Sequence, residues 1–169
     1  MLFKLTKAEM HLADCLGRDT VAICNMSGHT PNWADKDDGA NRINNNIMGY
    51  RGEILFARLF NLERPVLNVM GDDGVDCWLG DIRVDVKTSR ENKLIFNKKS
   101  FRADVAVAFM QTDQDDVLDL LGWITKAEFN ERFYFHDYGN GERGVCKREK
   151  LNPIETLWRE KIGLMAESG

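Results

Sequence analysis

Two short runs of alternating apolar and polar residues meet at Gly80-Asp81, and this arrangement constrains the fold more than any other feature of the chain. A two-residue glycine-containing loop between alternating runs predicts a β-hairpin. The register then follows by counting. Leu79 pairs with Ile82, Trp78 with Arg83 and Cys77 with Val84. Continuing the ladder sets Asp76 opposite Asp85 and Gly74 opposite Lys87. Side chains alternate across a strand. Val75, Cys77, Leu79, Ile82, Val84 and Val86 are therefore expected on one apolar face, with Asp76, Asp85 and Lys87 on the other.

Two aspartates placed directly across an antiparallel pair repel each other. A divalent cation between them removes that objection, because Mg²⁺ takes one or two carboxylates together with water and phosphate oxygens. Lys87 lies two residues beyond Asp85, within reach of the same water or phosphate. A third carboxylate comes from an expected helix over Gly49–Asn61. Successive helical residues turn by about 100°, which puts Arg51 and Arg58 on one face and Glu53 in line with Phe56, Ala57 and Phe60. A carboxylate on a buried stripe is costly unless it is paired or bound. Glu53 could also simply compensate the helix dipole in the first turn.

Gly52-Glu53 on a helix, then Val75-Asp76, then Asp85-Val86-Lys87 resembles the PD-(D/E)XK nuclease superfamily. That group has the restriction-endonuclease-like fold of restriction enzymes, Holliday-junction resolvases and phage nucleases. The matched core covers residues 49–111. Val75 stands where the family name writes proline, and no Gln-x-x-x-Tyr motif is evident. The resemblance implies an α/β fold with a mixed central sheet flanked by helices, in a single domain over 1–169. It implies Glu53, Asp76, Asp85 and Lys87 as catalytic residues. Asp76, Asp85, Glu53 and the carbonyl of Val86 would hold Mg²⁺, with Mn²⁺ as a substitute. Lys87 would orient or deprotonate the attacking water. Phosphodiester hydrolysis needs this chemistry: a metal-bound nucleophile and stabilisation of transition-state charge. Dimers of the family cut two strands, which makes a homodimer an expectation, and the family's setting is a bacterial or phage-infected cell.

The chain carries 23 basic and 27 acidic residues, a net charge of −4, which argues against a binder acting through bulk positive charge. The basic residues are nevertheless grouped, as Arg83, Lys87, Arg90, Lys93, Lys98, Lys99 and Arg102 and again as Arg143, Lys147, Arg148 and Lys150. Thr88, Ser89, Arg90, Lys93, Lys98, Lys99 and Arg102 are candidates for contact with a DNA backbone, with RNA as the other polymer. Solvated loop faces would show the same pattern. The alternatives are a binding protein that keeps the nuclease fold without catalysis, and a metal-dependent hydrolase of a small phosphate ester.

The remaining expectations are local. Thr6 and Glu9 form a capping-box pattern before a helix over Leu5–Leu16, with Gly17 near its C-cap. Val21–Met26 reads as a short strand or buried turn, and Ser27–Asn46 as a long loop. Val66–Met70 reads as a strand and Gly71–Gly74 as a turn. Strands are expected at Lys93–Asn97, Ala103–Gln111 and Leu118–Ile124, and a helix capped by Thr125 through Phe133. A glycine-containing loop and a terminal helix over Pro153–Met165 follow. Cys15, Cys24, Cys77 and Cys146 lack CxxC spacing and read as reduced thiols of a cytoplasmic protein. A zinc group of His11, Cys15, Cys24 and His29 matches no common finger spacing. No apolar run reaches the length of a membrane span, and the amphipathic start does not read as a signal peptide.

Overall fold

A computed structural model describes residues 1–27, 39–67, 74–97, 101–139 and 141–159, with the side chains of Gly39, Ala40 and Asn97 left aside. The capping box forms as expected. Thr6 Oγ1 accepts from the Glu9 N–H, and the Glu9 carboxylate accepts from the Thr6 N–H. This start opens α1 (Lys7–Met26), which is preceded by a short strand β1 (Leu2–Lys4). Two expectations fail here. Val21–Met26 is helical, and Gly17 lies inside α1 rather than at its end. A Cβ on Gly17 would stand 2.6–2.9 Å from atoms of Ile47. The glycine lets α2 (Gly39–Phe60) cross close to α1, a packing role that a cap signal imitates in sequence.

Helix α2 starts before the expected Gly49, because residues 39–46 are helical rather than loop. The remainder of the expected loop, 28–38, lies outside the described residues. After α2 the chain runs irregularly over 62–67, so Val66 and Leu67 form no strand. The rest of that expected strand and Gly71–Asp73 lie outside the described residues.

The hairpin follows as β2 (Cys77–Leu79) and β3 (Ile82–Ser89), with the three expected pairs Cys77–Val84, Trp78–Arg83 and Leu79–Ile82. Gly80 takes φ 64 at the first loop position, where a type II′ turn places glycine. β4 (Lys93–Asn97), β5 (Val105–Gln111) and β6 (Val117–Thr125) come next. Thr125 caps α3 (Lys126–Arg132) through a second capping box with Glu128. The expected glycine-containing loop is instead largely the hairpin β7 (Tyr134–Asp137) and β8 (Glu142–Lys147). Of the expected terminal helix, 154–159 is described and helical.

The architecture is mixed α/β. A five-stranded sheet runs β1-β6-β5-β3-β2, with β3 and β5 parallel and every other pairing antiparallel. A smaller sheet runs β4-β8-β7. The larger sheet is buried on both faces, as strands with near-continuous apolar runs should be. Val84, Val86, Val105, Val107, Phe109, Leu118 and Leu120 pack with Ile47, Ile54, Leu55 and Phe56. Ala106, Ala108, Leu121 and Ile124 pack on the other side with Leu94, Phe96, Phe129 and Cys146. The face opposite Val84 and Val86, expected to be polar, therefore lies under the smaller sheet. No helix of the described residues is long and apolar enough to cross a membrane.

Candidate active site

The hairpin ladder ends at Cys77, one pair before the position that would set Asp76 squarely across from Asp85. The Asp76 N–H donates to Val84 O at 2.9 Å. Its carboxylate Oδ2 accepts the Val86 N–H at 2.6 Å. In a straight ladder that N–H would bond the backbone of Val75. Asp76 thus substitutes a side-chain oxygen for a backbone one at the edge of β3. The alternation breaks at the same point. Val75 packs with the second core cluster, whereas Cys77, Ile82, Val84 and Val86 belong to the first. The expectation of one continuous face from Val75 to Val86 is corrected accordingly.

Asp85 is fully buried and its Oδ1 receives the ammonium of Lys87, two residues along the same strand. The Lys87 side chain remains 38% exposed, and its Nζ lies 5.4 Å from the centre of the Phe96 ring. It reaches from the interior toward solvent, carrying a cation from the buried carboxylate to the surface.

Glu53 arrives from α2, and Gly52 explains how. A Cβ at Gly52 would fall 2.0 Å from Thr88 Oγ1 and 3.5 Å from Val86 Cγ1. Only glycine lets the helix settle this close to β3. Arg51 and Glu53 then diverge from that contact, Arg51 toward Gln111 and Glu53 into a cavity of about 390 Å³ shared with Asp76, Cys77, Trp78 and Val86. Asp85 and Lys87 do not line this cavity; they stand on β3 beside it, on the face opposite Val86. Burial pushes the Cys77 thiol up to about 12, and the negative charges of Asp76, Glu53 and Asp85 add to it. The cavity also has an aromatic wall in Trp78, which is 58% exposed.

The donor chemistry fits a hard cation. Carboxylate and carbonyl oxygens suit Mg²⁺ or Mn²⁺, while the one sulfur nearby is held as a thiol and is a poor ligand. Among the described residues, no group of three or more His, Cys, Asp or Glu side chains is already arranged as a cage.

The expected backbone-binding residues separate. Thr88 Oγ1 is buried beneath Gly52 and serves packing. Ser89 bonds Glu91 through both its hydroxyl donor and acceptor. Lys93 pairs with Glu91 and lies over the Tyr138 ring. Arg90 and Arg102 are exposed, and Lys98 and Lys99 lie outside the described residues. Of the zinc group, His29 also lies outside them, and His11 and Cys15 form a one-turn contact at 3.7 Å. Trp78 stands exposed on the three-residue strand β2, at the edge of the larger sheet. Comparison with protein-family models, with curated proteins and with solved structures finds no match to this chain.

Proposed function

We propose that this protein is a metal-dependent nuclease of the restriction-endonuclease-like kind, hydrolysing phosphodiester bonds in DNA. The observations that carry the reading are the cavity shared by Glu53 and Asp76 and, on the adjoining strand β3, the buried Asp85 paired to Lys87. A sequence built for stability alone gains nothing from gathering these charges at the edge of one strand. Chain order and secondary structure also follow the motif: helix for Glu53, the approach to β2 for Asp76, and β3 for Asp85, Val86 and Lys87.

In this reading Glu53, Asp76, Asp85 and the Val86 carbonyl would hold Mg²⁺, with Mn²⁺ as a substitute. The metal would supply Lewis-acid stabilisation and a more acidic bound water. The protein's own contribution is orientation. The Val86 N–H fixes the Asp76 carboxylate, and burial of Asp85 restricts its rotamer. Lys87, partly exposed, presents its ammonium where it can hold a water or offset charge on the reacting phosphate. Trp78 gives a nucleobase a stacking surface at the mouth of the cavity.

The test is incubation with plasmid, linear, single-stranded and four-way-junction DNA and with RNA, in Mg²⁺ and in EDTA. Metal-dependent cleavage by the wild type, lost on Lys87→Ala, supports the reading. Equal cleavage in EDTA or by the variant refutes it. Size-exclusion chromatography on the same samples tests the homodimer.

A further inference from the structure

A second cavity, of about 510 Å³, opens between α1, α2 and the C-terminal ends of the parallel strands β3 and β5. Three arginines line it: Arg18 from α1, Arg51 from α2, and Arg90 just after β3. It lies across the Gly52–Thr88 contact from the carboxylate cavity, with none of the proposed catalytic residues in its wall.

Arg51 is the informative residue. Its side chain is only 13% exposed, yet its close partner is a neutral amide, Gln111 Oε1 at 3.3 Å. Asp14 and Asp115 add longer ion pairs, at 3.8 and 3.7 Å, without a hydrogen bond. Its Nε is buried and makes no hydrogen bond. Arg58, two turns along the same helix, shows the contrast. It bonds Glu9 at 2.8 Å and Lys4 O at 3.0 Å. A mostly buried guanidinium is costly without an anion in direct contact. Arg18 and Arg90 are exposed and have no ion-pair partner among the described residues. Gln111 is fixed in turn by backbone carbonyls of the 112–117 loop, so the amide is a rigid support for Arg51.

We infer that this cavity binds a nucleoside monophosphate, its phosphate held by Arg18, Arg51 and Arg90. Guanidinium groups match phosphate oxygens in geometry and charge. The cavity falls in the volume range of small-molecule sites, at the carboxyl ends of parallel strands where such ligands collect. The acidic rim fits the same ligand. Asp14, Asp113 and Asp115 can accept from the hydroxyls and amino group of a nucleoside, which inorganic phosphate lacks. Asp115 is 87% exposed and can move aside for the phosphate. The nucleotide is either free or the phosphorylated end of a polynucleotide.

The experiment is calorimetric titration in EDTA with AMP, adenosine, inorganic phosphate and one short DNA strand carrying either a terminal phosphate or a terminal hydroxyl. AMP should bind at least about tenfold tighter than adenosine, the scale of one charge-assisted contact. The phosphorylated strand should exceed its hydroxyl form by a similar factor. The double variant R18Q/R90Q, at two exposed positions, should erase both preferences while its melting curve stays that of wild type. Equal AMP and phosphorylated-strand affinity assigns the site to free nucleotide, and a tighter strand assigns it to a chain end. Equal binding of AMP and adenosine, or a double variant that keeps the preference, overturns the inference. The titration is independent of cleavage, so Lys87→Ala should bind AMP as wild type does even if the nuclease reading fails.

Discussion

Asp85 on β3 and Asp119 on β6 are the two most deeply buried aspartates among the described residues, and the fold surrounds them differently. Asp119 accepts from the Met1 ammonium at 2.6 Å and from Arg148 at 2.7 and 3.5 Å. Its cations come from distant parts of the chain, so the carboxylate ties β1, β6 and the turn after β8 into one unit. Asp85 pairs with Lys87, its neighbour two positions along the same strand. Long-range cations around a buried carboxylate are the mark of a clamp. Under the proposed nuclease reading, a local cation that leads to the surface serves the reaction instead.

The sharpest way to break this contrast is to remove a cation from each site. Lys87→Ala should lower cleavage by about 10² to 10⁴, the range for a residue acting on the proton or charge of the reaction, with DNA binding in EDTA retained. Arg148→Met should leave cleavage per folded molecule unchanged. It should cost about 2–3 kcal/mol of stability in a urea melt, because Asp119 loses one of its two cations while staying buried. A loss of cleavage with Arg148→Met, or a stability loss of that size with Lys87→Ala, would erase the distinction.

Acid should separate the two regions further. Burial pushes the Asp119 carboxyl up, but direct bonds from the Met1 ammonium and Arg148 outweigh it and hold the group below the usual carboxylate range. A depressed carboxyl contributes stability that is full above its unfolded value, about 3.9. That contribution is lost as pH falls through the lower folded value. Asp119→Asn should therefore flatten the stability profile below about pH 4 and lie under wild type at neutral pH. Urea melts from pH 2 to 7 check this; parallel profiles would show that Asp119 does not sense its cations.

Smaller effects test the approach of α2. Gly52→Ala puts a methyl 2.0 Å from Thr88 Oγ1 and should cost about 1–3 kcal/mol through overpacking. Thr88→Ala in the same chain should recover part of it, and additive losses would show that the two residues do not meet. The smallest effect is expected for Asp76→Asn. The amide oxygen can still accept the Val86 N–H while one negative charge leaves the cluster. Stability in EDTA should stay within about 1 kcal/mol of wild type, and the rise in melting temperature with Mn²⁺ should vanish. Asp76→Ala, which deprives Val86 of its acceptor, should cost about 1–3 kcal/mol.

The turn, the register of three pairs, the Thr6–Glu9 capping box, the Thr125 cap and the strand at Lys93–Asn97 were legible because each depends on neighbours in sequence. Helix and strand periodicity likewise placed Glu53 on a helix and Asp85 and Lys87 on one strand, where the structure has them; their roles belong to the proposal. The sequence by itself determined these local elements. Tertiary structure decided what periodicity does not encode. Gly17 looks like a cap glycine and Gly52 like a motif residue within a helix, and only the approach of a neighbouring helix or strand makes them packing residues. The hairpin β7–β8 hid behind glycines because its strands draw stability from β4 and from Phe129 stacked over Gly144, contacts far apart in sequence. Asp76 left the straight ladder because its carboxylate competes for the Val86 N–H, a contest between side chain and backbone that alternation does not register. The arginines of the second cavity stand at positions 18, 51 and 90, and only the folding of α1 and α2 onto the ends of β3 and β5 brings them together.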